Sequence, residues 1–289
     1  MEKSKCLALL ECAERGSITS AAKALGYTPS AISQLISSLE DELGLKLLSR
    51  SAKGVRLTSE GETILPKVRS FLAHEKEIYQ TAEELRGIFN GTLTITAYPS
   101  IAMTWLPEIV RKFKSDYPGI QINIQEGIRE QIYDRLSRNE ADLGMLIYDE
   151  AIPFEWIPLT ESRIIAALPE DHPLADRESF PVKACEEYEM AIGSWGREKE
   201  IINIFVKNGV NPNIRYTTYD TPASLALVRM GLCIGIVNEL SAQVWTEHLV
   251  KMPLDPPESV VFGIAVPSEE HMTSAARKFL SYTINYFNE

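Results

Sequence analysis

Apolar residues recur at intervals of three and four in the first part of the chain. This spacing predicts amphipathic helices over residues 3–14, 17–25 and 29–43. Gly26 lies between the second and third helices, where a chain reversal requires a residue that tolerates a positive φ. Thr28 precedes Pro29, an arrangement typical of an N-cap and a first helical position. The pattern therefore predicts two short helices that meet at a tight turn.

A compact basic hairpin is predicted after the third helix. Gly44 ends that helix, and residues 45–58 fit a two-stranded wing that turns at Lys53-Gly54. Helices and a wing in this order are typical of a winged helix-turn-helix, in which the second helix of the motif enters the major groove of DNA. We therefore expect residues 1–58 to form a DNA-binding domain.

A long helix is predicted over residues 59–86. Its inward positions are spaced by four and three residues, the heptad pattern of a helix that pairs with its own copy. Pro66 lies inside the pattern and is expected to kink the helix rather than end it. We assign residues 59–90 to a dimerising linker, with a solitary domain-spanning helix as the alternative. The heptad positions are Ile64, Val68, Phe71, Glu75, Ile78, Ala82 and Leu85.

Beyond a hinge at Asn90-Gly91, predicted strands alternate with predicted helices. This alternation is typical of an α/β fold with mostly parallel strands, covered by helices on both faces. Ligands of such sheets bind beyond the carboxyl ends of the strands. One of the predicted helices covers residues 101–117. The predicted strands cover residues 92–97, 120–125, 143–147, 164–168, 214–218, 234–237 and 260–266.

Charge is distributed unevenly along the chain. The formal net charge is −11, yet residues 1–90 hold 12 Lys or Arg and 12 Asp or Glu, whereas the remainder holds 17 and 28. A basic patch lies within the neutral front part, and a DNA duplex responds to such a patch because charges beyond about 10 Å are largely screened. The acidic rear part is expected to have another function. The patch consists of Lys46, Arg50, Lys53 and Arg56.

Several classes of protein are disfavoured. No apolar run long enough for secretion or a membrane span is present, so a cytoplasmic protein is expected. The histidines share no metal-ligand spacing, and GxSxG, HExxH and phosphate-binding glycine motifs are absent, so neither an enzyme nor a metal site is expected. The cysteines lack a CxxC spacing, which favours reduced, buried thiols over a redox-sensing pair. They are Cys6, Cys12, Cys185 and Cys233.

A set of short motifs occurs as one joint pattern. In the front part these are Gly16-Ser17, Ala21-Ala22, Leu25, Ser30-Ala31-Ile32-Ser33, Leu39-Glu40, Leu43-Gly44, Arg50 and Leu57-Thr58-Ser59-Glu60-Gly61. In the rear part they are residues 93–107, 139–144, 169–175 and 228–235. The joint pattern resembles the LysR-type family of bacterial transcription regulators over essentially the whole chain.

The resemblance implies a winged helix-turn-helix, a dimerising linker helix and a two-lobed effector-binding domain over residues 91–289, similar to periplasmic binding proteins. Lobe I is assigned to residues 91–162 and 267–289, and lobe II to residues 163–266. The implied partners are double-stranded promoter DNA, an unidentified small-molecule effector, copies of the chain in a homodimer and homotetramer, and RNA polymerase. No other cofactor and no membrane are implied. Tyr98 stands where small polar residues are usual in the family, and is expected to narrow the pocket mouth.

Polar residues on the third helix lie opposite its apolar stripe and are candidates to meet the groove. Gln34 could pair bidentately with adenine, a contact worth about 1–3 kcal/mol of discrimination. The basic residues of the wing are expected to contact phosphates. A solvated polar face is the alternative for both sets. The candidates are Ser30, Ser33, Gln34 and Ser37 on the helix, with Arg50, Lys53 and Arg56 on the wing.

The effector candidates follow from the strand-end rule. Ser100 opens a helix whose free N–H groups suit a carboxylate, although it could serve only as an N-cap. Trp195 suits stacking on a ligand, with plain packing as the alternative. No Arg or Lys is expected at these strand ends, which favours a small neutral or monoanionic metabolite. The candidates are Ser100, Ile101, Ile128, Tyr148, Ser194, Trp195, Thr221 and Asn238.

The sequence therefore predicts a transcription regulator that responds to a ligand in its rear domain. One alternative is a constitutive DNA-binding repressor or architectural protein that has no metabolite ligand. The other is an enzyme fused to a DNA-binding domain, against which the missing catalytic motifs argue.

Overall fold

The computed structural model describes residues 1–51, 54–85, 90–244, 248–268 and 272–288. The chain divides into two compact units. The first contains Met1–Asn90 with Ser137–Glu140, and the second contains Gly91–Leu136 with Ala141–Glu289. Among the described residues, no helix combines the length and apolar character that a membrane span needs.

The first unit is a winged helix-turn-helix followed by a long helix. Its elements are α1 (Lys3–Arg15), α2 (Ile18–Leu25), α3 (Pro29–Leu43), β1 (Leu48–Ser51), β2 (Gly54–Leu57) and α4 (Ser59–Leu85). Gly26 and Gly44 end α2 and α3 at φ values of 71° and 68°, which glycine adopts without strain. Thr28 Oγ1 accepts a hydrogen bond from the backbone N–H of Ala31 at 3.2 Å, which caps α3. The predicted winged helix-turn-helix is confirmed.

One apolar core holds this unit together. Ala21 and Ala22 are 0% and 1% exposed, so α2 approaches its neighbours closely. Val68 of α4 joins the same core. The inward stripe of the helix-turn-helix comprises Ile32, Ile36 and Leu39.

Helix α4 continues through Pro66, as predicted, and its two ends are buried differently. Val68 is fully buried, whereas Ile78 and Tyr79 are 68% and 65% exposed. The side chain of Leu85, the last predicted heptad position, lies outside the described residues. The later part of the apolar stripe is therefore left uncovered in a single chain.

Strands and helices alternate in the second unit. Its strands are β3 (Gly91–Ala97), β4 (Ile120–Glu126), β5 (Leu143–Ile147), β6 (Glu155–Pro169), β7 (Phe180–Pro181), β8 (Met190–Ile192), β9 (Ile214–Thr217), β10 (Ile234–Asn238) and β11 (Leu249–Val266). Its helices are α5 (Pro99–Met103), α6 (Trp105–Asp116), α7 (Arg129–Ser137), α8 (Lys199–Asn208), α9 (Thr221–Arg229), α10 (Glu239–Val244) and α11 (Ser274–Asn288). The predicted α/β class is confirmed.

A mixed sheet runs through the whole second unit. In the described residues its strand order is β4-β3-β5-β11-β6-β10-β8-β9, and β7 pairs with β11. The outer strands are parallel: β3 pairs with β4 and β5, and β8 pairs with β9 and β10. The central strands are antiparallel, because β11 pairs with β5 and β6, and β6 also pairs with β10.

Each lobe of the second unit is built around a large apolar core of its own, beside a smaller one. In lobe I, Phe113 of α6 and Phe279 of α11 pack with their ring centroids 5.3 Å apart over Leu93 of β3. In lobe II, Ile192 of β8 and Phe205 of α8 lie in the other core. Strands β6 and β11 contribute residues to both cores. The lobes are therefore joined by two continuous strands.

The structure corrects the bounds of two predicted strands, the assignment of two residues to a lobe, and one predicted helix. The strands expected over 164–168 and 260–266 are only the second halves of β6 and β11. Phe262 and Val266, which were assigned to lobe II, are fully buried in the core of lobe I, because the end of β11 pairs with β5. The helix expected over 101–117 is interrupted at Thr104, whose ψ is −75°.

A buried carboxylate fixes the start of the wing. Glu40, near the end of α3, is 6% exposed and accepts hydrogen bonds from the backbone N–H groups of Leu47 and Leu48 at 2.8 and 3.2 Å. Lys46 Nζ lies 2.6 Å from the same carboxylate. Burial alone would raise the pKa of Glu40, but these hydrogen bonds outweigh it and lower the pKa.

We expect Glu40→Ala to destabilise the first unit, because two backbone N–H groups at the wing lose their acceptor. Leaving a buried donor unsatisfied costs about 1–3 kcal/mol. Urea unfolding of the full chain at neutral pH measures the loss, and Asp41→Ala, an exposed neighbour, serves as the matched control. The contribution of Glu40 is present above its unfolded pKa of 4.5 and is lost as pH falls through the lower folded pKa. Equal stability of the two variants would contradict this role.

Candidate functional sites

The outward face of α3 and the wing form a shallow concave surface. Ser33, Gln34, Ser37 and Arg50 line this surface, together with Ser38 and Asp41. Gln34 and Ser37 are exposed, and Ser33 is half-buried. The fold thus brings three of the four helix candidates beside one wing cation. Asp41 is an acidic member that sequence reasoning did not include.

The other DNA-binding candidates lie outside that surface. Ser30 is exposed at the start of α3, and its hydroxyl lies 3.0 Å from Thr28 Oγ1. Arg56 is exposed and lies opposite Ser49 in the β1–β2 hairpin. Lys53 lies outside the described residues. Lys46, the fourth residue of the basic patch, pairs with Glu40, and its side chain stays 73% exposed.

A cavity lies between the two lobes, with a volume of about 40 Å³. Residues from the carboxyl ends of strands and from the first turns of helices in both lobes line it, as the strand-end rule predicts. Tyr98 also lines it, at the end of β3. The sequence-derived candidates on its wall are Ser100, Ile128, Ser194, Thr221 and Asn238.

Three effector candidates do not line this cavity. Ile101 is fully buried in the core of lobe I, because its side chain faces inward from α5. Tyr148 lines a second cavity, which shares Arg129 and Glu200 with the first. Trp195 is 56% exposed, and its ring centroid lies 6.2 Å from that of Tyr219. We therefore correct the expectation for these three residues: none of them faces the cavity between the lobes.

The expectation that no Arg or Lys lies at these strand ends is wrong. Arg129 follows the candidate Ile128 directly and lines the cavity, with a side chain only 7% exposed. Arg197 and Lys199 also line it. The signal for Arg129 was its position one residue beyond the strand-end candidate Ile128.

Arg129 belongs to an alternating cluster of charges that spans the two lobes. Its Nη2 lies 3.0 Å from Glu200 Oε2, on α8 of lobe II. Lys199, also on α8, lies 2.8 Å from Asp149 of lobe I, and Asp149 is 3.7 Å from Arg129. The Tyr219 hydroxyl of lobe II donates a further cross-lobe hydrogen bond, to Gln131 of lobe I. The lobes are thus linked by specific polar contacts at the cavity.

Glu198 lines the cavity between the lobes, in surroundings that disfavour the charged form of its carboxyl group. Burial and the nearby Glu200 carboxylate raise the pKa of Glu198 to about 8, although Gly193 N–H and Thr221 donate hydrogen bonds to it. The raised pKa favours the neutral carboxyl of Glu198, which can donate a hydrogen bond into the cavity.

The cysteines are buried and form no disulfides. Burial raises the pKa of Cys185 to about 12 and that of Cys233 to about 11. Burial also raises the pKa of Cys6 and Cys12. Because the thiolate is the reactive form, these thiols are poor nucleophiles in the folded state.

Comparisons with known proteins match both units. Residues 5–62 match the model of the bacterial regulatory helix-turn-helix protein, lysR family, and residues 86–287 match the LysR substrate binding domain. The uncharacterized HTH-type transcriptional regulator YvbU of Bacillus subtilis is 30% identical over 281 residues, 96% of each chain.

Two solved structures have a similar fold. Full-length CbnR in complex with its target DNA has a TM-score of 0.70 at 20% identity, covering 100% of this chain and 99% of that one. The effector binding domain of QuiR in complex with shikimate has a TM-score of 0.63 at 20% identity, covering 69% of this chain and 98% of that one. At this identity the likeness establishes the fold.

We expect Glu198→Gln to change how stability depends on pH. The raised pKa means that the wild-type protein loses stability relative to the variant as pH rises from 4.5 to about 8. Each unit by which the pKa is raised corresponds to about 1.4 kcal/mol. The difference in unfolding free energy between the wild-type protein and the variant should therefore grow by more than about 1 kcal/mol. Urea unfolding across this pH range measures it. Glu130→Gln, an exposed carboxylate on the same cavity, should keep the wild-type profile; parallel profiles for all three proteins would contradict the assignment.

Proposed function

We propose which residues read DNA and which bind the effector in this chain, which belongs to the LysR family of bacterial transcription regulators. As a member of that family it regulates transcription, binds DNA through its winged helix-turn-helix, and carries an effector-binding domain. It is a regulator and not an enzyme.

In our proposal α3 reads bases and the wing grips the phosphate backbone. The observation that carries it is the shared surface of α3 and Arg50, on which the polar face of α3 points away from the apolar core. Gln34 is long enough for a bidentate contact with adenine in the major groove. Ser30, Ser33 and Ser37 of the same helix contact the major groove beside Gln34 in this proposal. Arg50, Lys53 and Arg56 neutralise phosphates, which strengthens binding without selecting a sequence.

Gln34→Ala and Arg56→Ala should therefore have different effects on promoter binding. Loss of Gln34 should relax the preference at its footprint positions, worth about 1–3 kcal/mol per base pair. Loss of Arg56 should weaken binding to all sequences and reduce the slope of log affinity against log salt by about 1. Fluorescence anisotropy on every single-base variant of the bound site, at several salt concentrations, separates the two. Arg215→Ala, an exposed cation of the second unit, is the matched control. An unchanged preference in Gln34→Ala would remove its reading role.

We further propose a homodimer that forms through α4 and pairs into a homotetramer. Support comes from the exposed apolar side chains of Ile78 and Tyr79 on that helix. A paired helix would cover them, and it would place two winged helix-turn-helix units on adjacent half-sites. DNA-bound tetramers would then act on RNA polymerase in the bacterial cytoplasm, where the promoter lies.

The effector is proposed to be a small metabolite bound between the lobes. Ser100, Ile128, Ser194, Thr221 and Asn238 supply hydroxyl, apolar and amide groups from both lobes to the cavity wall. Shikimate, the molecule bound by the effector domain of QuiR, is also a small metabolite. The cavity is small, so a metabolite would need the lobes to move apart as it enters.

A thermal-shift screen of small metabolites against the full chain should find a stabilising ligand. A ligand present at 100 times its Kd stabilises the folded state by about 2.7 kcal/mol, which raises Tm by several degrees. Thr221→Val should reduce the shift, because it removes a hydroxyl from the cavity wall, whereas Ser281→Ala on α11 should leave it unchanged. A complete absence of stabilising ligands would favour the constitutive repressor without a metabolite.

A further inference from the structure

Arg129 is fixed on lobe I by contacts that do not depend on lobe II. Its Nη1 donates to the backbone carbonyl of Ile147 at 2.9 Å, and Asp149 lies 3.7 Å away. Both partners belong to the end of β5 and the residues that follow it. The guanidinium therefore keeps its place on the cavity wall when the lobes separate.

Glu200 is the partner of Arg129 that comes from lobe II. Its carboxylate accepts from Nη2 of Arg129 at 3.0 Å and is only 6% exposed. Both residues line the cavity between the lobes. Separation of the lobes withdraws Glu200 and leaves Nη2 facing the space in which a ligand would sit. A planar guanidinium in that position matches the geometry of a carboxylate.

We propose that Arg129 is the anion-binding group of the effector site, that Glu200 occupies it in the ligand-free protein, and that the effector carries a carboxylate that takes the place of Glu200. This inference rests on the proposed effector site and names the chemical class of its ligand.

Charge balance favours a monoanion over a dianion. Replacing one carboxylate with another leaves the charge around Arg129 unchanged. A dianionic phosphate would add a negative charge close to Glu200 and Asp149. The protonated carboxyl of Glu198, together with Thr221 and Ser194, offers hydrogen bonds to hydroxyl groups on the rest of the ligand. The site thus fits a small hydroxylated monocarboxylate.

Acetate tests the exchange directly, because it is the smallest stable mimic of the Glu200 side-chain group. In Glu200→Ala the guanidinium loses its lobe II partner, and about 100 mM sodium acetate should raise Tm by about 2–4 °C over equimolar sodium chloride. The wild-type protein should gain less, because Glu200 competes. Thermal unfolding of the full chain in the two salts measures the difference. Glu200→Gln keeps the shape of the side chain without its charge, and should show an intermediate gain even if the alanine variant folds poorly.

Two further variants identify the group that binds acetate. The double variant Arg129→Gln/Glu200→Ala should lose the acetate-specific gain entirely. Glu239→Ala, which removes the partner of the exposed Arg163, should respond equally to the two salts. An equal response of Glu200→Ala and Glu200→Gln to acetate and chloride, or an undiminished gain in the double variant, would overturn the proposal. The acetate experiment needs neither DNA nor the natural effector. The carboxylate proposal can therefore be contradicted even if the metabolite screen finds a stabilising ligand for the effector site.

Discussion

The antiparallel pairing of β6 and β11 is the constraint on which the effector unit depends. The two strands pair from Leu249 opposite Pro169 to Val266 opposite Glu155, and they contribute to the cores of both lobes. A displaced register between Pro253 and Glu258 lies between the parts that serve each core. Because the same two strands cross from one lobe to the other, the lobes remain tied to each other through β6 and β11. The cavity lies between them, where strand ends and helix first turns from both lobes converge.

The charge of the chain is distributed unevenly between the DNA-binding unit and the effector unit. The acidic excess lies beyond residue 90, whereas the surface that we propose to read DNA combines polar α3 residues with the wing cation Arg50. Glu40 illustrates how an acid can serve a DNA-binding unit: it is buried beneath the wing and engages Lys46, so its charge is not presented to phosphates. The proposed phosphate binding then depends on the remaining exposed cations, because distant charges are screened.

Sequence reasoning succeeded where structure is set by neighbours along the chain. The caps of α2 and α3, the hairpin, and the alternation of strands and helices are local signals, and each was found in place. It failed where structure is set by distant partners. Arg129 and Glu200 are separated by 71 residues, and their pairing follows only from how the lobes close. The first halves of β6 and β11 were missed for the same reason, because the two strands pair with each other over a long separation in the chain.

The Arg129–Glu200 pair also explains how a weakly interacting small molecule could gain specificity. Bringing a guanidinium and a carboxylate out of water is costly, and the fold has already offset that cost for Arg129 with the Ile147 carbonyl and Asp149. A ligand carboxylate that replaces Glu200 loses its own hydration but meets a group that is already desolvated and oriented. A neutral ligand would leave Nη2 unsatisfied once Glu200 withdraws, which penalises it against an anionic one. Discrimination between an anionic and a neutral ligand therefore depends on Glu200, whose withdrawal exposes Nη2, as much as on Arg129, which binds the ligand.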